Sequence, residues 1–246
     1  LVKENQADAL LSIGNSGATV AFGVFILGRL KNMHRPGIVA PMPTLNGYTL
    51  LLDVGAMVDC KPAHLLEFAA MGAKYSHHVF NVENPKVAIL SIGEEPSKGN
   101  ELTFATAELL KKTNLNFIGN VEGNDVVRGS ADVIVCDGFV GNILLKFGEG
   151  MVELFARTLK YETEEVLSED VDSEHRGELL KETMERVDHT AYGGALLIGL
   201  KGHCLIGHGR SNPRAIANGI RAASTAAEKC PLSEIQEALD AVTNLT

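Results

Sequence analysis

Short apolar runs alternate along this chain with segments of helical periodicity, and no other feature restricts its fold as strongly. The run at residues 87–92 ends at Gly93, and a helical pattern begins after Asn100. Apolar runs at residues 9–13 and 132–136 are also followed by glycine-containing loops and helical segments. This alternation predicts an α/β fold, with a mainly parallel sheet covered by helices on both faces.

The length and composition of the chain fit one large domain. Its 246 residues are 45% hydrophobic, which is enough to bury a substantial core over residues 1–246. No apolar run reaches the ~18 residues of a membrane span, and residues 1–8 lack the features of a secretory signal, so we expect a cytoplasmic protein. The chain has no initiator methionine and opens on a segment typical of a helix end, so we expect its N-terminal part to be missing.

Charge is distributed unevenly, with acidic residues concentrated in one segment. The net charge is −9, and residues 161–188 contain eleven acidic and three basic side chains. This pattern predicts a charged helical excursion over residues 150–190. The rest of the chain is nearly neutral overall, so basic patches can occur there. The acidic balance argues against nucleic acid as a partner.

The cysteines and histidines give no metal-binding pattern. The four cysteines form no C-x-x-C pair, a usage typical of reduced cytosolic thiols. His77 and His78 are adjacent in sequence, whereas a helical zinc pair is spaced four residues apart. We therefore expect no metal site.

Glycine combined with a small polar residue recurs where apolar runs end and helices begin. Glycine lets backbone N–H groups approach a ligand, and the N-terminus of a helix attracts anions. Because ligands gather at the carboxyl ends of parallel strands, we expect these loops to share one sheet edge and form a phosphate or oxyanion site. The four loops contain Gly14, Asn15, Ser16 and Gly17; Gly93, Lys98, Gly99 and Asn100; Asp137, Gly138, Gly141 and Asn142; and His208, Ser211 and Asn212.

Helix capping is the alternative explanation for each of these loops taken alone. Asn and Ser are preferred N-cap residues in any strand-to-helix turn. Four such loops together, one of them carrying Lys98, favour a ligand site. No G-K-[ST] or G-x-G-x-x-G pattern is present, so a nucleotide cofactor is not supported. No G-x-S-x-G elbow marks a serine nucleophile.

Seven stretches, taken in order along the chain, resemble the bacterial acyl-(acyl-carrier-protein):phosphate acyltransferases of phospholipid synthesis, the PlsX family. Ser16 stands where the family usually has threonine, and the family's upstream Asp-Ala-Met-Gly-Gly-Asp loop is not in this sequence. The matching stretches are GNSGA (14–18), LLDVGAMVDCKPAHLLEFAAMG (51–72), GEEPSKGNELT (93–103), NFIGNVEG (116–123), DGFVGNILLK (137–146), YGGALLIGL (192–200) and GHGRSNPRAI (207–216).

The resemblance implies a fold like that of isocitrate and isopropylmalate dehydrogenases and of phosphotransacetylases. It implies a homodimer that needs no metal, nucleotide or other cofactor. The implied reaction moves a fatty acyl group from acyl carrier protein to orthophosphate, giving acyl phosphate for phospholipid synthesis. Weak peripheral attachment to the inner face of the membrane is a further expectation, since the product is used there.

The resemblance also assigns roles to residues in the loops. Lys98 is expected to neutralise phosphate or oxyanion charge, and Asn142 to make an oriented amide contact at the same centre. Asp137, Glu94 and Glu95 are expected to hold Lys98 in place. Asp137 and the other residues of the four loops are also expected to bind phosphate or substrate.

Two further sets of residues are expected to serve the substrates. The stretch 192–194 is expected to shape the acyl path or a dimer contact. Acyl carrier protein is acidic, so its docking requires positive charge. The candidates for that docking are Arg29, Lys31, Arg35, Arg210, Arg214 and Arg221.

Two other functions remain open at this level. A phosphate acetyl- or butyryltransferase would also hold phosphate beside a thioester and stabilise the oxyanion. Its acyl carrier would be coenzyme A. A non-catalytic scaffold would keep the anion-binding loops without turnover.

Overall fold

A single mixed sheet of eight strands organises the residues that the computed structural model describes, which are 1–45, 47–166, 193–209 and 211–245. The spatial order is β1-β8-β7-β2-β3-β6-β4-β5. The strands are β1 (Ala9–Ser12), β2 (Gly37–Thr44), β3 (Gly47–Leu52), β4 (Lys86–Leu90), β5 (Asn116–Val121), β6 (Val133–Val135), β7 (Ala195–Ile198) and β8 (His203–Ile206).

Helices connect most of the strands. The first helix passes directly into a π-helical turn at Gly23–Leu27, and short 3-10 turns occur at Val2–Glu4 and Thr243–Leu245. The α-helices are α1 (Ser16–Phe22), α2 (Pro62–Phe80), α3 (Glu101–Leu110), α4 (Gly123–Arg128), α5 (Gly138–Val166), α6 (Pro213–Lys229) and α7 (Leu232–Val242). The short helix α4 is not predicted by the sequence pattern.

The strands run in two opposed sets. Strands β3, β6, β4 and β5 are mutually parallel, whereas β2 pairs antiparallel with both β3 and β7. Strand β8 is antiparallel to β7 and parallel to β1. Consequently β1 and β8 run opposite to β3, β4 and β6. Their carboxyl ends lie at the opposite edge of the sheet from the carboxyl ends of those three strands.

Side chains of the central strands are buried on both faces of the sheet. Leu50 and Leu52 pack into the hydrophobic cluster that contains α2, whereas Leu51 packs into the cluster on the other face. All three side chains are at most 1% exposed. The continuous apolar runs seen in the sequence are therefore the central strands of a sheet covered on both sides, which confirms the predicted fold class.

The predicted excursion begins as a continuation of α5, which extends to Val166. The remainder of residues 150–190, together with Tyr192 and Arg210, lies outside the described residues. Among the described helices, none is both long and apolar enough to span a membrane.

Candidate functional site

The start of α5 is packed against the turn that follows β3. The side-chain amide Nδ2 of Asn142 donates to the carbonyl oxygen of Val54 at 2.9 Å, and the backbone N–H of Gly138 donates to that of Met57 at 2.7 Å. A Cβ at position 141 would overlap the Asp53 carbonyl oxygen. Only glycine allows the helix to come this close.

A buried carboxylate holds the same turn from the other side. Asp53 is 0% exposed, and its Oδ1 accepts from the backbone N–H groups of Ile38, Gly55 and Ala56 at 2.9, 3.0 and 3.0 Å. Its Oδ2 accepts from the N–H of Met57 at 2.7 Å. Burial raises the pKa of Asp53, and the four N–H bonds oppose that shift. The carboxylate thus fixes the backbone that receives α5.

Sequence reasoning missed Asp53. The available signal was an aspartate directly after an apolar run and two residues before Gly55, a pattern typical of an Asx turn. Its burial depends also on the N–H of Ile38, fifteen residues upstream, which local sequence does not reveal.

The Lys98 loop lies after β4 and is braced by β5. The side-chain amide of Asn120 donates to the carbonyl oxygens of Glu95 and Lys98 at 3.1 and 3.0 Å, and the N–H of Lys98 donates to Glu95 O at 2.9 Å. Gly99 has φ +130°, a conformation that suits glycine, and Gly93 leaves room for the stem of Lys98. The loop backbone is therefore fixed while the side chain of Lys98 is exposed.

The expected ion-pair support for Lys98 is wrong for the described residues, since none of their ion pairs includes Lys98. Glu94 and Glu95 are exposed. Asp137 instead caps α5, with Oδ1 accepting from the N–H of Val140 at 2.9 Å. One carboxylate oxygen of Asp137 is thus used at the helix start, and the other forms no ion pair with Lys98.

The predicted asparagines are helix caps as well. Asn15 accepts from the N–H of Ala18 at 2.9 Å, Asn100 from Thr103 at 3.0 Å and Asn212 from Ala215 at 2.8 Å. The capping explanation therefore accounts for one side-chain oxygen in each of these three loops. Anion binding through their backbone N–H groups stays a prediction.

The four predicted loops form two groups, so the expectation of one shared sheet edge is wrong. The loops at 93–100 and 137–142 follow β4 and β6, whereas those at 14–17 and 207–212 follow β1 and β8, which run the opposite way. The antiparallel strands β2 and β7 separate the two sets and reverse the direction. The structure thus brings Asn142, Gly138 and Gly141 together with Asp53.

The second group is exposed. Gly14, Asn15, Ser16 and Gly17 are open to solvent, as is His208, whose carbonyl accepts from the N–H of Ser211 at 2.8 Å. The N–H of Gly207 donates to Ser12 O at 2.8 Å, which joins the two loops of this group.

The cysteines near the site are poor nucleophiles. Burial and the neighbouring Asp53 raise the pKa of Cys60 to about 12, and burial raises the pKa of Cys136 further above its usual range. A thiolate is the reactive form, so neither thiol is suited to covalent catalysis at neutral pH. Within the described part of the chain, no group of three or more His, Cys, Asp or Glu is arranged to hold a metal ion.

Comparison with known families identifies close relatives over most of the chain. The profile of a family described as "Fatty acid synthesis protein" matches residues 1–233. A phosphate acyltransferase from Thermodesulfovibrio yellowstonii is 48% identical over 240 residues, which are 98% of this chain and 70% of that protein. A phosphate acyltransferase from Geotalea daltonii is 50% identical over 93% of this chain and 66% of its own length. The chain therefore spans about two thirds of these relatives.

Solved structures share the fold at low sequence identity. A phosphotransacetylase from Streptococcus pyogenes superposes with a TM-score of 0.59 at 18% identity, covering 93% of this chain and 65% of that one. A 4-hydroxythreonine-4-phosphate dehydrogenase from Klebsiella pneumoniae gives a TM-score of 0.50 at 12% identity, covering 91% and 66%. The similarity supports the predicted dehydrogenase- and phosphotransacetylase-like fold.

Proposed function

Because the chain belongs to the fatty acid synthesis protein family, we propose that it transfers a fatty acyl group from an acyl carrier protein thioester to orthophosphate. The observation that carries the proposal is the 48–50% identity to phosphate acyltransferases over nearly the whole chain. The arrangement of the Lys98 loop and the start of α5 supports it. The products are an acyl phosphate and the free carrier thiol.

The chemistry requires positioning rather than an activated side-chain nucleophile. A phosphate oxygen attacks the thioester carbonyl carbon, the C–O bond forms, and the C–S bond then breaks. The proton of the attacking hydrogen phosphate passes to the departing sulfur, which leaves as the free thiol. Holding phosphate beside the thioester lowers the barrier by making the attack effectively unimolecular, and stabilising the oxyanion lowers it further. The raised pKa of Cys60 and Cys136 fits a route without a thiolate nucleophile.

Lys98 and Asn142 take different roles in this proposal. The exposed ammonium of Lys98 neutralises charge on phosphate or on the oxyanion. One N–H of the Asn142 amide is donated to Val54 O, and its Oδ1 is the proposed acceptor for a protonated phosphate oxygen. The N–H of Phe139, in the first turn of α5, has no hydrogen-bond partner among the described residues and is a further donor toward an anion.

The loops at 14–17 and 207–212 remain part of the proposal as a second anion-binding group. The exposed residues at the start of α1 support this role, together with the exposed Ser16 and His208. Neither loop is assigned to the reacting centre.

The proposed partners are inferred from exposed basic residues and from exposed apolar side chains on α5. Acyl carrier protein is the proposed donor, docked by exposed basic residues such as Arg29, Lys31 and Arg35. A homodimer is proposed because α5 exposes a series of large apolar side chains at helical spacing. Weak peripheral membrane contact stays a proposal. The exposed apolar residues of α5 are Phe139, Val140, Ile143, Phe147, Leu154 and Phe155.

The second candidate is a phosphotransacylase acting on coenzyme A thioesters, which the fold shared with a phosphotransacetylase favours. Thiol release from palmitoyl carrier protein and from acetyl-coenzyme A, each with and without phosphate, separates the two. We expect phosphate-dependent release from the carrier protein. A preference for acetyl-coenzyme A would replace the proposed donor, and no release from either thioester would favour a non-catalytic scaffold.

A further inference from the structure

A cavity of about 290 Å³ lies beside the turn that holds the candidate site. Its apolar wall comes from Val20, Val24, Ala56 and Met57, and Arg29 and Arg35 also line it. A volume of this size is at the lower end of the range for small-molecule sites, which are mostly apolar with a few placed polar groups.

The arginines give the cavity a positive wall. Arg29 donates through Nη1 to the carbonyl oxygens of Met33, at 3.1 Å, and of His34, which fixes its guanidinium. Arg35 is exposed and forms no hydrogen bond or ion pair with another described residue. An arginine without a partner beside an apolar wall suits a phosphate or carboxylate ligand, which the planar guanidinium binds with two parallel N–H bonds.

An acidic group interacts with one arginine of this wall, because the charge of Arg29 opposes the rise in the pKa of Glu67 that burial causes. Glu67 is 3% exposed, and both of its oxygens are hydrogen-bonded to His34, one to the backbone N–H at 3.2 Å and the other to ring Nδ1. Basic groups surround His64: burial lowers its pKa, and the charges of His34, Lys61 and Arg35 lower it further. Arg35 forms no ion pair with a described carboxylate, which leaves its guanidinium open to an anion.

The cavity shares a wall with the candidate site. Ala56 and Met57 line it, and their N–H groups are the ones that Asp53 holds at 3.0 and 2.7 Å. The carbonyl of Met57 accepts from Gly138 at the start of α5. A ligand in the cavity is thus separated from the site by one turn of backbone.

We propose that this cavity binds the product or a related single-chain amphiphile, an aliphatic chain that carries an anionic head group. The chain packs on Val20, Val24 and Met57, and the head group pairs with Arg35 and Arg29. This inference rests on the proposed function, because acyl phosphate is the amphiphile that the reaction would release next to this turn. The same chemistry is found in an anionic lipid head group, and the test separates the two sources.

The test is a calorimetric titration of the purified protein with dodecyl phosphate, below its micelle concentration. Dodecyl phosphate contains no thioester, so its binding is independent of turnover and stays measurable if the acyl-transfer assay fails. We expect saturable binding that inorganic phosphate alone does not reproduce. No binding, or equally tight binding of inorganic phosphate, would overturn the proposal.

Two variants and a matched control locate the binding. We expect Arg35→Gln and the cavity-filling Val24→Trp each to weaken dodecyl phosphate at least tenfold. Arg157→Gln, which removes the same charge from an exposed position on α5, is expected to bind within twofold of the parent. If Val24→Trp is unfolded by circular dichroism, Ala56→Leu replaces it. Unchanged affinity in Arg35→Gln and in a folded filling variant would contradict the proposal.

Vesicles of phosphatidylcholine containing phosphatidic acid provide the second source of the same head group. We expect any vesicle binding to be insensitive to Arg35→Gln. Vesicle binding that depends on Arg35 without binding of dodecyl phosphate would replace the soluble amphiphile by a membrane lipid and overturn the proposal.

Discussion

Asn142 and Val54 are joined by a hydrogen bond of 2.9 Å from the side-chain amide to the backbone carbonyl oxygen. They are 88 residues apart in sequence, and the bond ties the start of α5 to the turn after β3. The amide orientation of Asn142 is therefore set by the backbone that Asp53 holds. Under the proposed function, stability and acyl transfer would both depend on this contact.

Replacing Asn142 with aspartate tests this shared dependence. The substitution keeps the shape of the side chain but places a carboxylate oxygen against Val54 O, so we expect about 1–3 kcal/mol of lost stability. The added negative charge also opposes phosphate, so we expect kcat/KM for acyl transfer to fall about 100-fold or more. Urea unfolding and phosphate-dependent thiol release measure the two effects. Asn124→Asp, exposed on α4, serves as control; equal losses in both variants would contradict the assignment.

Lys98→Ala separates chemistry from folding. The side chain is exposed and has no ion-pair partner among the described residues, so the midpoint of urea unfolding should stay unchanged. Loss of its positive charge from the proposed centre should lower kcat/KM by about 100- to 1,000-fold. Lys112→Ala, at an exposed position just after α3, should retain parent activity. Activity of Lys98→Ala within twofold of the parent would remove the residue from the reacting centre.

Glycine 141 should tolerate no side chain. A Cβ there would overlap Asp53 O and lie 2.9 Å from the sulfur of Cys136, so Gly141→Ala should cost about 3 kcal/mol of unfolding free energy. Gly150→Ala, in the same helix with no atom near the added Cβ, should instead gain about 0.5–1 kcal/mol. Denaturant midpoints measure both effects. Equal effects at the two positions would refute the close packing of α5 on β3.

Stability should fall on mild acidification. Burial lowers the pKa of His203 in the folded protein below 6.5, so the unfolded chain binds the proton more readily. The contribution of neutral His203 to the free energy of unfolding is complete above pH 6.5 and is lost as the pH falls. The pKa of His64 is also lowered, so His64 changes stability in the same direction.

His203→Gln should therefore flatten the fall in unfolding free energy between pH 7 and pH 5. His77→Gln, exposed on α2, should keep the parent slope. Denaturant unfolding at a series of pH values measures the slopes, and a parent-like slope in His203→Gln would show that His203 does not carry the effect.

The layers of the fold could be predicted from sequence because they depend on local apolar patterns. Leu50, Leu51 and Leu52 form a continuous apolar run, and burial on both faces of a sheet is what such a run requires. Strand direction was beyond that reasoning. The pairing of β2 with both β3 and β7 depends on hydrogen bonds between distant segments, and it reverses β1 and β8 relative to β4.

The candidate site was predicted in part. Gly138 and Gly141 were predicted to let the backbone approach a phosphate ligand, which stays a prediction. The structure shows that they also allow close contact with Met57 and Asp53. Asp137 was expected to hold Lys98, but in the structure it caps α5, and no ion pair among the described residues includes Lys98. Local sequence indicates which residue types belong in a turn, but not which of their atoms are already hydrogen-bonded.

The parallel pair β1 and β8 has a consequence for the order in which the protein is assembled. Ala9 of β1 pairs with His203 of β8, the last described strand in chain order. During synthesis, β1 can therefore form this pairing only after β8 has left the ribosome. Contacts that close so long a loop are slow to form. Until then, β1 lacks its one partner in the described sheet, and its backbone N–H and C=O groups stay unpaired.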